Sequence, residues 1–295
     1  MQSLWMVVAA VFYALYGVFV KSAGAEDIGS WEVLFYRSFF GMIAFGGIMF
    51  IKGVHVASRH PWAHATRSIA GTGAIIAGIY SISHLNLGLA MTLNYTAPLF
   101  LGTFVVIYSL LHHARINWGL NISLVAGFVG VIVLLGPTIG PEEYFPATVG
   151  IGAGMCTALA TGFVKRLGAW REPESRIIFY LMLAGTVCGL VGVCFTGGFT
   201  SWTWWRFTWI IALSICAILG QLTLTMAFSR GNMVLSGALQ YSVILFSTIM
   251  GMIVFNDKMT ITIAIGMVII VISGLSASWF TKHEQTATGT RVPKK

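Results

Sequence analysis

Asn94, Tyr95, Thr96 and Pro98 crowd into five positions of a run, MTLNYTAPLF, that is otherwise largely apolar. An amide, a phenol and a hydroxyl can each donate and accept hydrogen bonds. Proline has no N–H and cannot bond the carbonyl four residues back, here that of Asn94. The stretch therefore offers a polar solute three side chains and a freed backbone carbonyl. Gln240, Tyr241 and Ser242 repeat the order amide, phenol, hydroxyl in a second apolar run. Tyr13 and Tyr16, three apart, share a helix face and suit either aromatic walls or core packing. Arg37 stands inside another apolar run, where a guanidinium must pair or meet an anion. Glu32, five residues earlier, is its expected partner. Tyr80, His84 and Gln221 add polar lining.

This chemistry is recognition rather than catalysis. The sequence holds no HExxH, GxSxG or CxxC. His112 and His113 are adjacent, point to different sides of a helix, and have no carboxylate or cysteine beside them. Cys156, Cys188, Cys194 and Cys216 lie in apolar runs and read as small buried side chains. No enzyme activity, cofactor or metal is expected.

The elements that position these groups follow from composition. The 295 residues are 57% hydrophobic and 9% charged, with a mean hydropathy of +0.85. A soluble domain carries roughly 25% charged residues. The implied solvent is a lipid bilayer. Apolar runs and polar breaks give ten candidate spans: 3–20, 31–51, 67–86, 88–111, 119–137, 146–165, 175–197, 207–229, 233–255 and 261–281. They are apolar on all sides rather than alternating, so helices are expected rather than barrel strands.

With the N-terminus in the cytoplasm, thirteen basic residues, Arg67 among them, face inward. Only Lys21, Arg206 and Lys258 face outward. That bias puts both termini inside, and it accounts for the net charge of +8 without a nucleic-acid partner. All ten tryptophans fall near proposed span ends, the depth that indoles prefer. The first run lacks a basic n-region and an A-x-A site, so it reads as a span rather than a signal peptide. The tail 282–295 reads as a disordered cytoplasmic end.

The chain is also internally similar. Leu93-Asn94-Tyr95-Thr96-x-x-Leu99-Phe100 matches Leu239-Gln240-Tyr241-Ser242-x-x-Leu245-Phe246, Phe35-Tyr36 matches Phe179-Tyr180, and Gly130 matches Gly274. The offset stays at 144–146. Two copies of five helices follow, residues 1–140 and 141–281. Five is odd, so the second copy enters the membrane inverted, and the site is expected at the repeat interface near midplane. Asn94 then lies ~9 Å below the outer end of its span at 1.5 Å per residue. Gln240 and Tyr241 lie at a similar depth from the other side. Small residues at four-residue spacing, such as Gly150, Gly154 and Ala158, should let helices approach closely.

Together these features resemble the EamA family of the drug/metabolite transporter superfamily. Phe255-Asn256-Asp257-Lys258-Met259-Thr260 is similar to its Gly-Glu-Arg-Leu-Thr turn, and Tyr95-Thr96-Ala97-Pro98 to its Tyr-Thr-x-Pro helix start. The sequence departs from the pattern at Asp257, at His113 and at Ile244, where a second proline often stands. The resemblance implies an all-α polytopic membrane protein with ten transmembrane helices in two inverted five-helix repeats. It implies a carrier with a central cavity, exporting amino acids or related small metabolites across a bacterial inner membrane. A vitamin or nucleobase importer of the same fold, or a lipid flippase, remains the alternative. Partners are then a small-molecule solute and the bilayer. A coupling proton or an exchanged solute, and monomer or homodimer, stay open.

Overall fold

The computed structural model describes residues 2–111, 118–135, 140–201, 203–231 and 233–287. His112 and His113 lie outside these. The described residues form α-helices and two short 3-10 turns, with no strand among them. The first half contributes α1 (Trp5–Ala25), α2 (Ser30–Ile51), α3 (Pro61–His84), α4 (Leu87–Asn94), α5 (Ala97–Leu111) and α6 (Trp118–Leu135). The second contributes α7 (Tyr144–Ala169), α8 (Glu174–Phe195), α9 (Trp204–Arg230), α10 (Met233–Gln240), α11 (Ser242–Phe255) and α12 (Ile261–Ala287). Among the described residues five stretches are long and apolar enough to cross a membrane: Gln2–Ala25, Ser30–Ile51, Pro141–Ala169, Glu174–Phe195 and Trp204–Arg230. Shorter apolar helices include Ser242–Phe255. Phe50, Trp62, Phe195 and Trp204 are more than four-fifths exposed, a surface that suits lipid and not water.

Several boundaries differ from expectation for local reasons. The fourth and ninth apolar runs are each split, into α4 and α5 around Tyr95-Thr96 and into α10 and α11 at Tyr241. Pro98 therefore does not kink a continuous helix. It is the second residue of α5, a position whose N–H has no intrahelical acceptor in any case. α3 begins at Pro61, six residues before the expected edge, because a proline at the first helical position is preset for the helix. α12 continues to Ala287, so 282–287 are helical rather than disordered. Extending an existing helix through Lys, Glu, Gln and Ala costs little. Residues 288–295 lie outside the described region.

Packing is close where glycines allow it. The most extensive pairings are α2 on α8, α6 on α12, α3 on α7 and α1 on α9. On α8, a Cβ at Gly189 would meet the backbone of Phe35, and one at Gly192 the Trp31 indole. On α7, Gly150 faces Ser81 and Leu93, and Gly154 faces Thr96. These contacts seat α7 directly against the α4–α5 junction.

Loops pair at both ends of the bundle. At one end Lys21 Nζ donates to Asp257 at 3.1 Å, and Asp257 Oδ2 accepts the Leu87 N–H at 2.9 Å. Thr200 donates to Glu32 from its hydroxyl at 2.6 Å and its N–H at 3.1 Å, and Arg206 Nε donates to the Glu26 carbonyl. At the other end Ser58 Oγ and Arg176 Nη1 donate to Glu172, at 2.6 and 2.7 Å. Arg230 forms a two-pronged pair with Glu174.

Candidate functional site

A cavity of about 120 Å³ lies between α1, α2, α3 and α4 on one side and α7, α8, α9 and α10 on the other. Its polar lining is Tyr13, Tyr16, Arg37, Arg67, Asn94, Tyr95, Thr157, Thr161, Gln221 and Gln240. Ile75, Ile79, Ile82, Met91, Leu181 and Leu224 supply apolar wall.

The two broken helices deliver the amides. Asn94 ends α4 and Gln240 ends α10. At each junction a hydroxyl turns back to bond the carbonyl three residues earlier: Thr96 Oγ1 to Leu93 at 2.7 Å, and Ser242 Oγ to Leu239 at 2.6 Å. Each hydroxyl thereby adds a side-chain donor to a helix-terminal carbonyl, and the Leu93 carbonyl also accepts the Thr96 N–H at 3.2 Å. Asn94 rests on Gly78, where a Cβ would come within 3.3 Å of its Nδ2. Asn94 Oδ1 and Gln240 Nε2 have no hydrogen-bond partner among the described residues.

The aromatic wall is linked to the polar floor. Tyr13 and Tyr16 meet edge to face at 6.4 Å between ring centres. Tyr13 donates to Gln221 Oε1 at 3.0 Å, which joins α1 to α9. Tyr16 accepts from Arg37 Nη1 at 3.2 Å, and the Arg37 guanidinium also lies over the Tyr16 ring at 5.0 Å.

Asn94, Tyr95, Gln240, Tyr13, Tyr16, Gln221 and Arg37 thus meet at one cavity. Tyr241 and Tyr80 do not. Tyr241 points to α12, where its ring covers Gly274 and its hydroxyl is buried without a partner. It lines a separate apolar groove between α11 and α12, beside Leu245, Val268 and Ile272. Tyr80 stacks on His84, one turn away, at 4.2 Å, and Phe145 abuts it. Pro98 is buried but does not line the cavity. Glu32 does not pair with Arg37. Five residues on a helix turn the chain 140° past a full turn, so the two side chains leave from different faces. Thr157 and Thr161 also line the cavity and carry no signal in the sequence; Arg67, which the sequence alone puts at the inner surface, is 3% exposed and sits on the cavity wall. The early start of α3 at Pro61 is the signal that carries it inward.

Glu172 lies outside the spans. Burial raises its pKa, but hydrogen bonds from Ser58 and Arg176, with the nearby Arg176 and His64 charges, outweigh that and hold the carboxyl below its ordinary range.

A solved crystal structure shares this fold, with a TM-score of 0.68 at 17% identity, over 95% of this chain and 98% of that one. A pseudopaline exporter of Pseudomonas aeruginosa is 24% identical over 91% of this chain and 93% of its own length. An S-adenosylmethionine uptake transporter of Rickettsia prowazekii is 22% identical over 95% of both chains. The chain is a multi-pass membrane transporter of small molecules, and its residues 1–136 match the model of the EamA-like transporter family.

Proposed function

We propose that the chain is an alternating-access carrier that exports amino acids or related polar and aromatic metabolites. The carrying observation is a cavity walled by helices of both halves, into which two broken helices present unpaired amide groups. Unsatisfied polar atoms are costly in a low-dielectric interior unless a ligand or water completes them. At about 120 Å³ the cavity is smaller than the usual ligand pocket, so a metabolite enters only as the walls part.

The packing supports two inverted repeats, 1–140 and 141–281. Exchange each helix for its counterpart one repeat on. The α2–α8 and α6–α12 contacts then map onto themselves, and α3–α7 maps onto α9–α1. The loop pairs support ten crossings with both termini in the cytoplasm, as in a bacterial inner membrane. Lys21 with Asp257, and Glu32 with Thr200, join loops assigned to the outer face; Ser58 with Glu172, and Glu174 with Arg230, join loops assigned to the inner one. Export is favoured by the likeness to the pseudopaline exporter. Uptake is the second reading, carried by the likeness to the S-adenosylmethionine uptake transporter.

The test is counterflow into liposomes loaded with amino acids, nucleobases, riboflavin or a polyamine. Saturable exchange of at least one amino acid or aromatic solute is expected. Lipid scrambling with no solute flux would replace the carrier by a flippase.

A further inference from the structure

We infer that the cavity takes an organic carboxylate, held by Arg37 and Arg67. The assignment rests on the carrier reading above and specifies the charge of its solute. Arg37 is 2% exposed and Arg67 3%, and both line the cavity. Arg37 spends one donor on Tyr16 and leaves Nε and Nη2 without a partner. The Arg67 guanidinium makes no hydrogen bond among the described residues, and its Nε is buried. Room for it comes from Gly71, one turn on, where any Cβ would collide with its Nη1.

Among the described residues no acid neutralises these two arginines. The chain has nine carboxylate side chains. Glu32 is bound to Thr200, Glu172 to Ser58 and Arg176, Glu174 to Arg230 and Ser229, and Asp257 to Lys21. Glu143 bonds the Gly140 N–H, while Glu26, Asp27 and Glu142 lie in the loops 26–29 and 141–143. Glu284 belongs to the last turns of α12. No described carboxylate comes within 4.0 Å of either guanidinium.

Two buried cations of one sign, without a counter-ion, are a costly arrangement that the protein itself does not relieve. An incoming carboxylate relieves it, because its two oxygens match the planar guanidinium fork. Gln240 Nε2, also unpartnered, is a further donor to the same anion or its neighbouring polar group. The isoleucine and leucine wall and the Tyr13–Tyr16 pair suit an apolar or flat body behind that headgroup. The same arrangement disfavours cationic solutes.

Two measurements on the purified full chain test this. The first is ligand-independent. Arg67→Gln removes an uncompensated buried charge, so its thermal midpoint without solute should rise by several degrees. A fall would assign Arg67 a structural role and overturn the proposal. The second compares matched acids and amides as probes: phenylacetate with phenylacetamide, and N-acetylphenylalanine with N-acetylphenylalaninamide, plus phenyl phosphate. A carboxylate should bind at least tenfold more tightly than its amide. That preference should drop below twofold in Arg37→Gln and in Arg67→Gln, both checked for monodispersity, and partly return in Arg67→Lys. Equal binding of acid and amide, or a preference for phenyl phosphate, overturns the carboxylate site even where counterflow of neutral solutes shows a working carrier. Acid-selective binding without any counterflow keeps the anion site and removes the carrier.

Discussion

The two helix junctions carry the same residue types in the same order, and the structure uses them differently. At Tyr95-Thr96 the phenol faces the central cavity, and a proline follows at the second position of the next helix. At Tyr241-Ser242 the phenol turns away to cover Gly274, and Ile244 stands in place of the proline. Both breaks nonetheless form, and both are held by a hydroxyl bonding three residues back. The proline is therefore not required for a break, and the hydroxyl bond alone does not make one, since Thr161, Thr223 and Ser247 bond three residues back inside unbroken helices. Only the amide that ends each first half-helix reaches the cavity at both junctions.

The largest break in this comparison should come from Gly274→Ala. Its new methyl would run into the Tyr241 ring and hydroxyl, which are wedged between helices. Overpacking of this kind costs about 3 kcal/mol, read as a drop of several degrees in thermal midpoint. Gly130→Ala, the counterpart, meets Ile269 Cγ2 at 2.8 Å and Ile270 Cγ1 at 3.0 Å, a looser approach, and should cost less. Equal costs would show that the Tyr241 placement is not special.

Transport separates the junctions next. Asn94→Ala and Gln240→Ala should each slow counterflow about tenfold, the loss of roughly 1.4 kcal/mol of binding, with expression unchanged. Tyr241→Phe should leave counterflow within twofold and raise stability slightly, because it removes a buried hydroxyl that has no partner. Equal loss in all three variants would bring Tyr241 back into the pathway.

A smaller contrast lies between the membrane interior and the loop clamp at Glu172. That carboxyl is held below its ordinary range, so its stabilising effect is complete above the unfolded-state value of 4.5 and fades as pH falls through the folded value. Glu172→Gln should lower the thermal midpoint by about 2 °C at neutral pH and flatten its decline below pH 4.5. The same acid-induced decline in variant and parent would clear Glu172 of this role. The smallest effect belongs to Pro98→Ala. Since the second junction breaks without a proline, turnover should change less than twofold. A large change would return the mechanical role to the proline.

Much of this architecture is legible in the sequence because lipid leaves polar groups few options. An amide at membrane depth must face another helix or a cavity, which located Asn94 and Gln240. Tyr13 and Tyr16 followed from three-residue spacing. The failures have equally definite causes. A repeated order of residue types does not repeat side-chain direction: Tyr95 lines the cavity, whereas the Tyr241 ring lies over Gly274. Arg67 bounds an apolar run in the sequence, whereas Pro61 starts the helix six residues earlier and carries the charge inward. Tyr80 found its partner one turn away in His84, a local contact that outweighs any pull toward the cavity.

The central claim is that this cavity opens to each side of the membrane in turn. The most direct test is a single cysteine at Thr157, on the cavity wall, in a chain whose Cys156, Cys188, Cys194 and Cys216 are replaced by alanine. A membrane-impermeant maleimide, applied to liposomes from either side separately, should label it from both, and a transported solute should slow both reactions. Labelling from one side alone, at a rate no solute changes, would contradict alternating access through this site.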